Sequence, residues 1–320
     1  MRNSEMTQLT ISQYAIIYKE LEDFCIKNTK VLLFGEFGNA SFPSISDLDV
    51  FICLKDDSFI SDYNKIINFI DADKTRQYVF FHDPLIIPER ILPFLNQFHT
   101  LYNLKFTFER EAVLIPFSNP NQLNFLNTIW TTYLMGIGPS ILINEQFGIR
   151  DKLLVLKNIC QSIVNIDANS EALLFSDKIR NQVMEGELSL SDINEIFEDK
   201  LRELYDKANT IKINDKLELK NRDKFRVGKN KLFFSSYKND FSISKKEICI
   251  VLNNEIFNLF GQIYFRKSTN RLLKEYIENS SKVNRHCKDL GISYPFISPF
   301  GYQFYRTDLK FTIKQKIFSL

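Results

Sequence analysis

The stretch "LLFGEFGNASFPSISDLDVFI", residues 32–52, decides how the first third of the chain is read. An apolar run, Val31 to Phe34, meets Gly35, and after a polar loop a second apolar run begins at Val50 with Asp47 and Asp49 at its mouth. Short apolar runs bounded by turn residues predict buried strands. In a strand, residues two apart share a face, so the two aspartates are expected to point the same way, roughly 6 to 7 Å apart. Carboxylates held side by side repel one another, and a divalent cation bound by both relieves that repulsion. Hard oxygen ligands suit Mg²⁺ or Mn²⁺. Gly35 is expected to close the first strand, where the missing side chain lets backbone approach a ligand and loop amides receive phosphate oxygens. A metal pair beside a phosphate-receiving loop is equipment for phosphoryl or nucleotidyl transfer.

Outward from this stretch the periodicity alternates. "SQYAIIYKELEDFCIKN" places Tyr14, Ile17, Tyr18, Leu21 and Cys25 at helical spacing with Ser12 as N-cap. "DYNKIINFI" is helical in pattern, "QYVFFHDPLII" reads as a strand, and "NLKFTFERE" as another. This order predicts an α/β (α+β) domain over residues 1–118. Beyond Ser118, helices are expected at roughly 121–135, 139–164, 168–184 and 189–209, with a turn at "GIGP" between the first two. "KFRVGKNKLFFSSY" suggests a hairpin turning at "GKN", and "KEICIVLNNEIFNLFGQIYF" and "NRLLKEYIENSSKV" are expected as helices. Residues 119–320 are thus predicted to be a mainly helical second region, basic toward its end.

Composition narrows the class. At 320 residues, 44% apolar and 25% charged, the chain is long enough for two cores. The five cysteines never stand in a C-x-x-C spacing, so neither a disulfide framework nor a zinc site is indicated. The first residues carry no apolar signal core, and the cytoplasm is the expected location. Residues 112–144 contain no charged side chain, but glycines and a proline interrupt them short of the roughly 20 apolar residues a membrane span requires. Residues 200–320 hold 25 Lys+Arg against 12 Asp+Glu, and residues 1–199 hold 16 against 27. That asymmetry fits a basic surface for an anionic partner, nucleic acid included, or two parts that attract each other; no nucleic-acid motif is present.

The Gly35, loop, Asp47-x-Asp49 arrangement resembles the DNA polymerase beta-like nucleotidyltransferase superfamily, over roughly residues 10–110. Gly35 precedes Asp47 by 12 positions, Ser46 precedes the acidic pair and hydrophobic "VFI" follows. The family's serine after the first glycine is here Glu36, and its second glycine aligns with Ala40; Gly38 or Ser41 stands in. A carboxylate at position 36 would repel phosphates unless it turned away or met a lysine. The resemblance implies that Gly35, Glu36, Gly38, Ser41 and Ser46 line a nucleotide site. It also implies a third carboxylate on a later strand, Asp83 by preference and Glu109 as substitute. With Asp47 and Asp49, Asp83 would hold Mg²⁺ or Mn²⁺, and an acceptor oxygen would attack the α-phosphorus of an NTP and expel pyrophosphate. The basic, mainly helical residues 119–320 would then bind the nucleotide or the acceptor, and the resemblance specifies neither the NTP nor the acceptor.

Other readings stand beside this one. A catalytically inactive member that binds a nucleotide or polyanion would be favoured by Glu36, and a toxin- or antitoxin-like regulator that modifies a nucleic acid or protein is a third reading. Asp-x-Asp also marks metal-dependent glycosyltransferases, but there the pair ends an apolar strand instead of preceding one. His82 reads as a proton shuttle or a core histidine, and His99 and His286 are isolated. "GIRDK" (148–152) and Lys224, Arg226, Lys229 and Lys231 are phosphate-contact or solvated candidates. Tyr302 and Tyr305 read as base-stacking or core aromatics.

Overall fold

The computed structural model describes residues 6–38, 42–80, 84–97, 103–110, 120–143, 147–211, 224–227, 231–235, 240–243, 248–252, 254–265, 268, 271–290, 292–293 and 305–306. The first elements are α1 (Ile11–Lys27), β1 (Val31–Glu36), β2 (Val50–Leu54), α2 (Phe59–Asp71), α3 (Lys74–Val79), β3 (Leu85–Pro88) and β4 (Lys105–Glu109). They build a mixed four-stranded sheet in the order β3-β2-β1-β4. β2 and β4 both run antiparallel to β1, and β3 runs parallel to β2. The strands bury Leu33, Phe34, Phe51, Ile52 and Ile86, and α1 lays Tyr14, Ile17, Leu21 and Cys25 against the same core. This is a mixed α/β protein, as the alternation of periods predicts.

Two local expectations are corrected here. The N-cap of α1 is Thr10, not Ser12: the Thr10 Oγ1 accepts from the Gln13 amide at 3.3 Å and the Gln13 Oε1 accepts from the Thr10 amide at 2.8 Å. Gln13 at the third helical position completes that reciprocal box, which no side chain completes for Ser12. "QYVFFHDPLII" is not one strand. Asp73 caps α3 by accepting from the Arg76 amide at 2.8 Å, so Gln77 to Val79 are helical and β3 begins only at Leu85.

Next come α4 (Pro120–Ile143), α5 (Ile149–Ile166), α6 (Ala172–Met184) and α7 (Leu190–Ala208), packed around a second core that includes Leu153, Leu156, Ile159, Ile193, Phe197 and Leu201. The expected turn at "GIGP" is absent and α4 runs straight through it. Pro139 has no amide hydrogen and so releases the Met135 carbonyl four residues back, and the Tyr205 hydroxyl of α7 donates to that oxygen at 2.7 Å. Gly138 packs against α7: a Cβ there would lie 2.7 Å from Leu201 Cδ1, so the leucine would have to shift. No helix among the described residues is long and apolar enough to cross a membrane.

β5 (Lys224–Val227), β6 (Lys231–Ser235), β7 (Asp240–Ile243) and β8 (Ile248–Leu252) form a second sheet, order β5-β6-β8-β7. The hairpin around "GKN" is present as antiparallel β5 and β6. The helix expected from Lys246 is half strand: the run Ile-Cys-Ile-Val-Leu, apolar on both faces and rich in β-branched residues, pairs parallel to β6, and α8 spans only Asn254–Phe265. Helices are thus found as expected over α4 to α7, without the turn, while Ile248–Leu252 is strand where helix was expected. α9 (Arg271–Asp289) returns to the first core, where Val283 and Cys287 are buried. β9 (Ile292–Ser293) and β10 (Tyr305–Arg306) form a short antiparallel pair.

Candidate functional site around the paired aspartates

Asp47 and Asp49 stand in the three residues that lead into β2, just outside the strand itself. Burial alternates from there on: Asp47 and Asp49 are half-buried, while Leu48 and Val50 are buried. The period of two expected of a strand therefore already operates, and the acids share the less buried side. Two backbone bonds fix the approach: the Phe37 amide donates to Asp49 O at 3.0 Å, extending the β1–β2 ladder by one rung, and the Leu48 amide donates to Val79 O at 3.1 Å.

Gly35 sits differently from the place read in the sequence, and Gly38 lies against one of the acids. Gly35 does not close its strand; it lies within β1, opposite Phe51 and Phe106, and a Cβ there would meet Lys105 O at 2.5 Å. Its bareness admits the β4 backbone at a bulge, and the Phe51 and Phe106 rings meet beside it with centroids 6.0 Å apart. Gly38 is the glycine that faces the acid: a Cβ there would collide with an Asp49 carboxylate oxygen. Glu36 pairs with Val50, so it shares the face of Phe34, whose ring meets Tyr18 of α1 at 5.5 Å. Asp49, two residues before Phe51, belongs to the opposite face. Glu36 has turned away from the aspartates, toward the Tyr18 phenol, whose pKa is raised by burial and further by Glu36.

The loop before the acids is held from several sides. The Arg150 guanidinium, at the first turn of α5 and buried, donates to Ile45 O at 2.9 Å, Ser46 O at 2.9 Å and Tyr78 O at 2.6 Å. It also lies 4.0 Å from the Tyr78 ring centroid. The Tyr14 hydroxyl donates to the same Ser46 O at 2.6 Å, and the Tyr78 hydroxyl donates to Ser44 O. Ser46 Oγ accepts from the Phe42 amide at 3.1 Å, and Arg180 of α6 caps the Phe42 ring at 3.9 Å. Ser44 takes φ 74, the left-handed region, and its hydroxyl accepts from the Leu9 amide at 2.8 Å. Burial pushes the Tyr14 phenol up to about 12; Arg150 opposes the rise and the Asp47 carboxylate adds to it.

"GIRDK" is therefore not a phosphate contact. Arg150 and Lys152 are buried, and Lys152 donates to Leu142 O at 3.2 Å and to Asn194 Oδ1. Their charges are spent on carbonyls and an amide inside the protein. Nothing local marks Arg150 for this task, because its three acceptors lie about 70 to 105 residues away in sequence.

The remaining candidates separate. Glu109 is exposed and pairs with Leu33, whereas Lys105 pairs with Glu36; the register puts Glu109 toward the end of β1 far from the aspartates. The His286 ring meets Phe94, centroids 6.0 Å apart. Lys224 and Arg226 are exposed on β5, Lys231 begins β6, and Tyr305 lies in β10. Ser41, His82, Asp83, His99, Lys229 and Tyr302 lie outside the described residues, as does Ala40. Among the described residues no three His, Cys, Asp or Glu side chains gather as a metal cluster. No family model matches the chain, and no curated protein or solved structure was found to be similar to it.

Proposed function

We propose that this chain is a metal-dependent nucleotidyltransferase of the DNA polymerase beta-like kind, using Asp47 and Asp49 to hold Mg²⁺ or Mn²⁺ and an NTP. The observation that carries the reading is the placement of the acids. They enter β2 side by side on its less buried side, at the end of the sheet where β1 finishes, with Gly38 against the Asp49 carboxylate. Two carboxylates with no side chain intruding from Gly38 suit a small hard cation. β3 runs parallel to β2, so both strands are entered from the same end of the sheet. Asp83 precedes β3 by two residues in sequence, which supports it over Glu109 as the third ligand.

The chain's own groups would then act as follows. Asp47 and Asp49 would hold the cation, and Gly38 would leave room beside Asp49. Glu36, on the opposite face, would leave approaching phosphates unopposed. When bound, the cation would hold the triphosphate and lower the pKa of the acceptor hydroxyl. The basic residues of the last third, Lys224 and Arg226 among them, are candidates for contact with an anionic acceptor.

Calorimetric titration of the four NTPs, with and without Mg²⁺, into the wild-type chain, Asp49→Ala and Asp83→Ala tests this. One NTP should bind, need the metal and lose binding in Asp49→Ala. Binding indifferent to both metal and mutation, or no binding, refutes the proposal.

A further inference from the structure

We infer that Arg150 is a positioning residue for the aspartate pair: a side chain of the helical layer that sets the backbone from which Asp47 and Asp49 project. The inference rests on the metal-site reading above and deepens it. Three bonds from one guanidinium reach Ile45 O, Ser46 O and Tyr78 O at 2.9, 2.9 and 2.6 Å. The first two acceptors are the residues immediately before Asp47. The third precedes Val79, whose carbonyl receives the Leu48 amide at 3.1 Å. Arg150 thus links both backbone segments that flank Leu48, the residue between the two acids. The fork geometry matters, since a guanidinium presents several donors in fixed directions and an ammonium cannot span the same carbonyls.

The same loop is gripped from the first core by Tyr14, which shares Ser46 O with Arg150, and from α6 by Arg180 over the Phe42 ring. A loop with Ser44 in the left-handed region and three carbonyls turned inward would not keep one geometry alone. The cost of ordering it is met in advance by donors from α1, α3 and α5 and by the Arg180 contact from α6, so bringing the carboxylates to one cation demands little further rearrangement. The helical layer is in this sense part of the acid site as well as a neighbour of it.

The test compares Arg150→Lys, Arg150→Met and Tyr14→Phe in the full chain. It reads melting temperature, hydrogen exchange of the Ile45 to Val50 amides, and Mn²⁺ affinity by calorimetry without nucleotide. The expected result is a Mn²⁺ dissociation constant on the order of 10-fold weaker in Arg150→Met, the scale seen when groups supporting a metal ligand are removed. Exchange should quicken at Leu48 while Phe51 to Leu54 stay protected. Arg150→Lys should fall between, and Tyr14→Phe should weaken Mn²⁺ binding by a smaller factor. Should Arg150→Met fail to fold, Arg150→Lys and Tyr14→Phe carry the comparison. Folded variants that bind Mn²⁺ as the wild type does would overturn the inference, because a purely structural role predicts that result. A wild-type chain that binds no Mn²⁺ would overturn the metal reading and the inference with it. Unchanged exchange at Leu48 in a chain that does bind Mn²⁺ would overturn the inference alone.

Discussion

The loop from Phe42 to Ser46 and the Gly138–Pro139 stretch of α4 face one physical problem and reach opposite outcomes. In each, carbonyl oxygens lose the partners regular structure would give them, and a buried donor from a distant helix takes them over. Arg150 of α5 serves Ile45 and Ser46, and Tyr205 of α7 serves Met135. In α4 one external donor lets a helix survive a proline that ordinarily disrupts it. In the loop several donors hold a backbone that follows no helix or strand. Turn residues therefore announce freed carbonyls, and what takes those carbonyls decides whether the chain turns.

The largest effect expected from testing this comparison is at Arg150. Arg150→Met should lower stability by about 3 to 5 kcal/mol in urea denaturation, since it strips three buried carbonyls of charged donors. A cost near that of a surface substitution would break the comparison on the loop side. On the sheet beside it, Gly35→Ala forces a Cβ to 2.5 Å from Lys105 O and should cost about 1 to 3 kcal/mol by overpacking. Tyr205→Phe should cost about 1 to 2 kcal/mol, and less in a Pro139→Ala background, where the alanine amide can return to Met135. Equal costs in the two backgrounds, measured as a double-mutant cycle, would show that the proline is not what Tyr205 answers.

The smallest effect concerns acid. Burial of Asp62 works to raise its pKa, but hydrogen bonds from Lys65 at 2.8 Å and Asn28 at 3.1 Å prevail and hold it below the usual carboxylate value. A lowered folded pKa gives stability that is present above the unfolded pKa and lost as pH falls through the folded one. Asp62→Asn should therefore flatten the acid limb of the melting-temperature profile slightly and leave the loop's own response unchanged.

Much of the first sheet was legible because periodicity is a local property. The continuous apolar runs of β1 and β2 and the helical spacing of Tyr14, Ile17, Leu21 and Cys25 each announce one element and one buried face. The acid pair was legible for a similar reason, since two aspartates around a leucine are a local pattern. Arg150 was not, because its partners lie in other elements and a lone arginine in "GIRDK" gives no clue to them. Gly35 and Gly38 were visible as glycines, but only the register showed that the first accommodates β4 and the second the Asp49 carboxylate. The "GIGP" turn and the helix from Lys246 failed for a common reason: tertiary partners, Tyr205 and Leu201 for α4 and β6 for β8, outweighed local preference.

The return of α9 to the first core has a consequence for how the chain is made. Val283 and Cys287 are buried with strands that end by Arg110, so the ribosome delivers the sheet long before the helix that helps cover it. At typical synthesis rates of about 5 to 20 residues per second, the interval from Arg110 to Cys287 lasts roughly 10 to 35 s. During that time the apolar ground reserved for α9 stands open to solvent and to chaperones. A nascent chain arrested before Arg271 should thus be bound by chaperones more strongly than one arrested after Asp289.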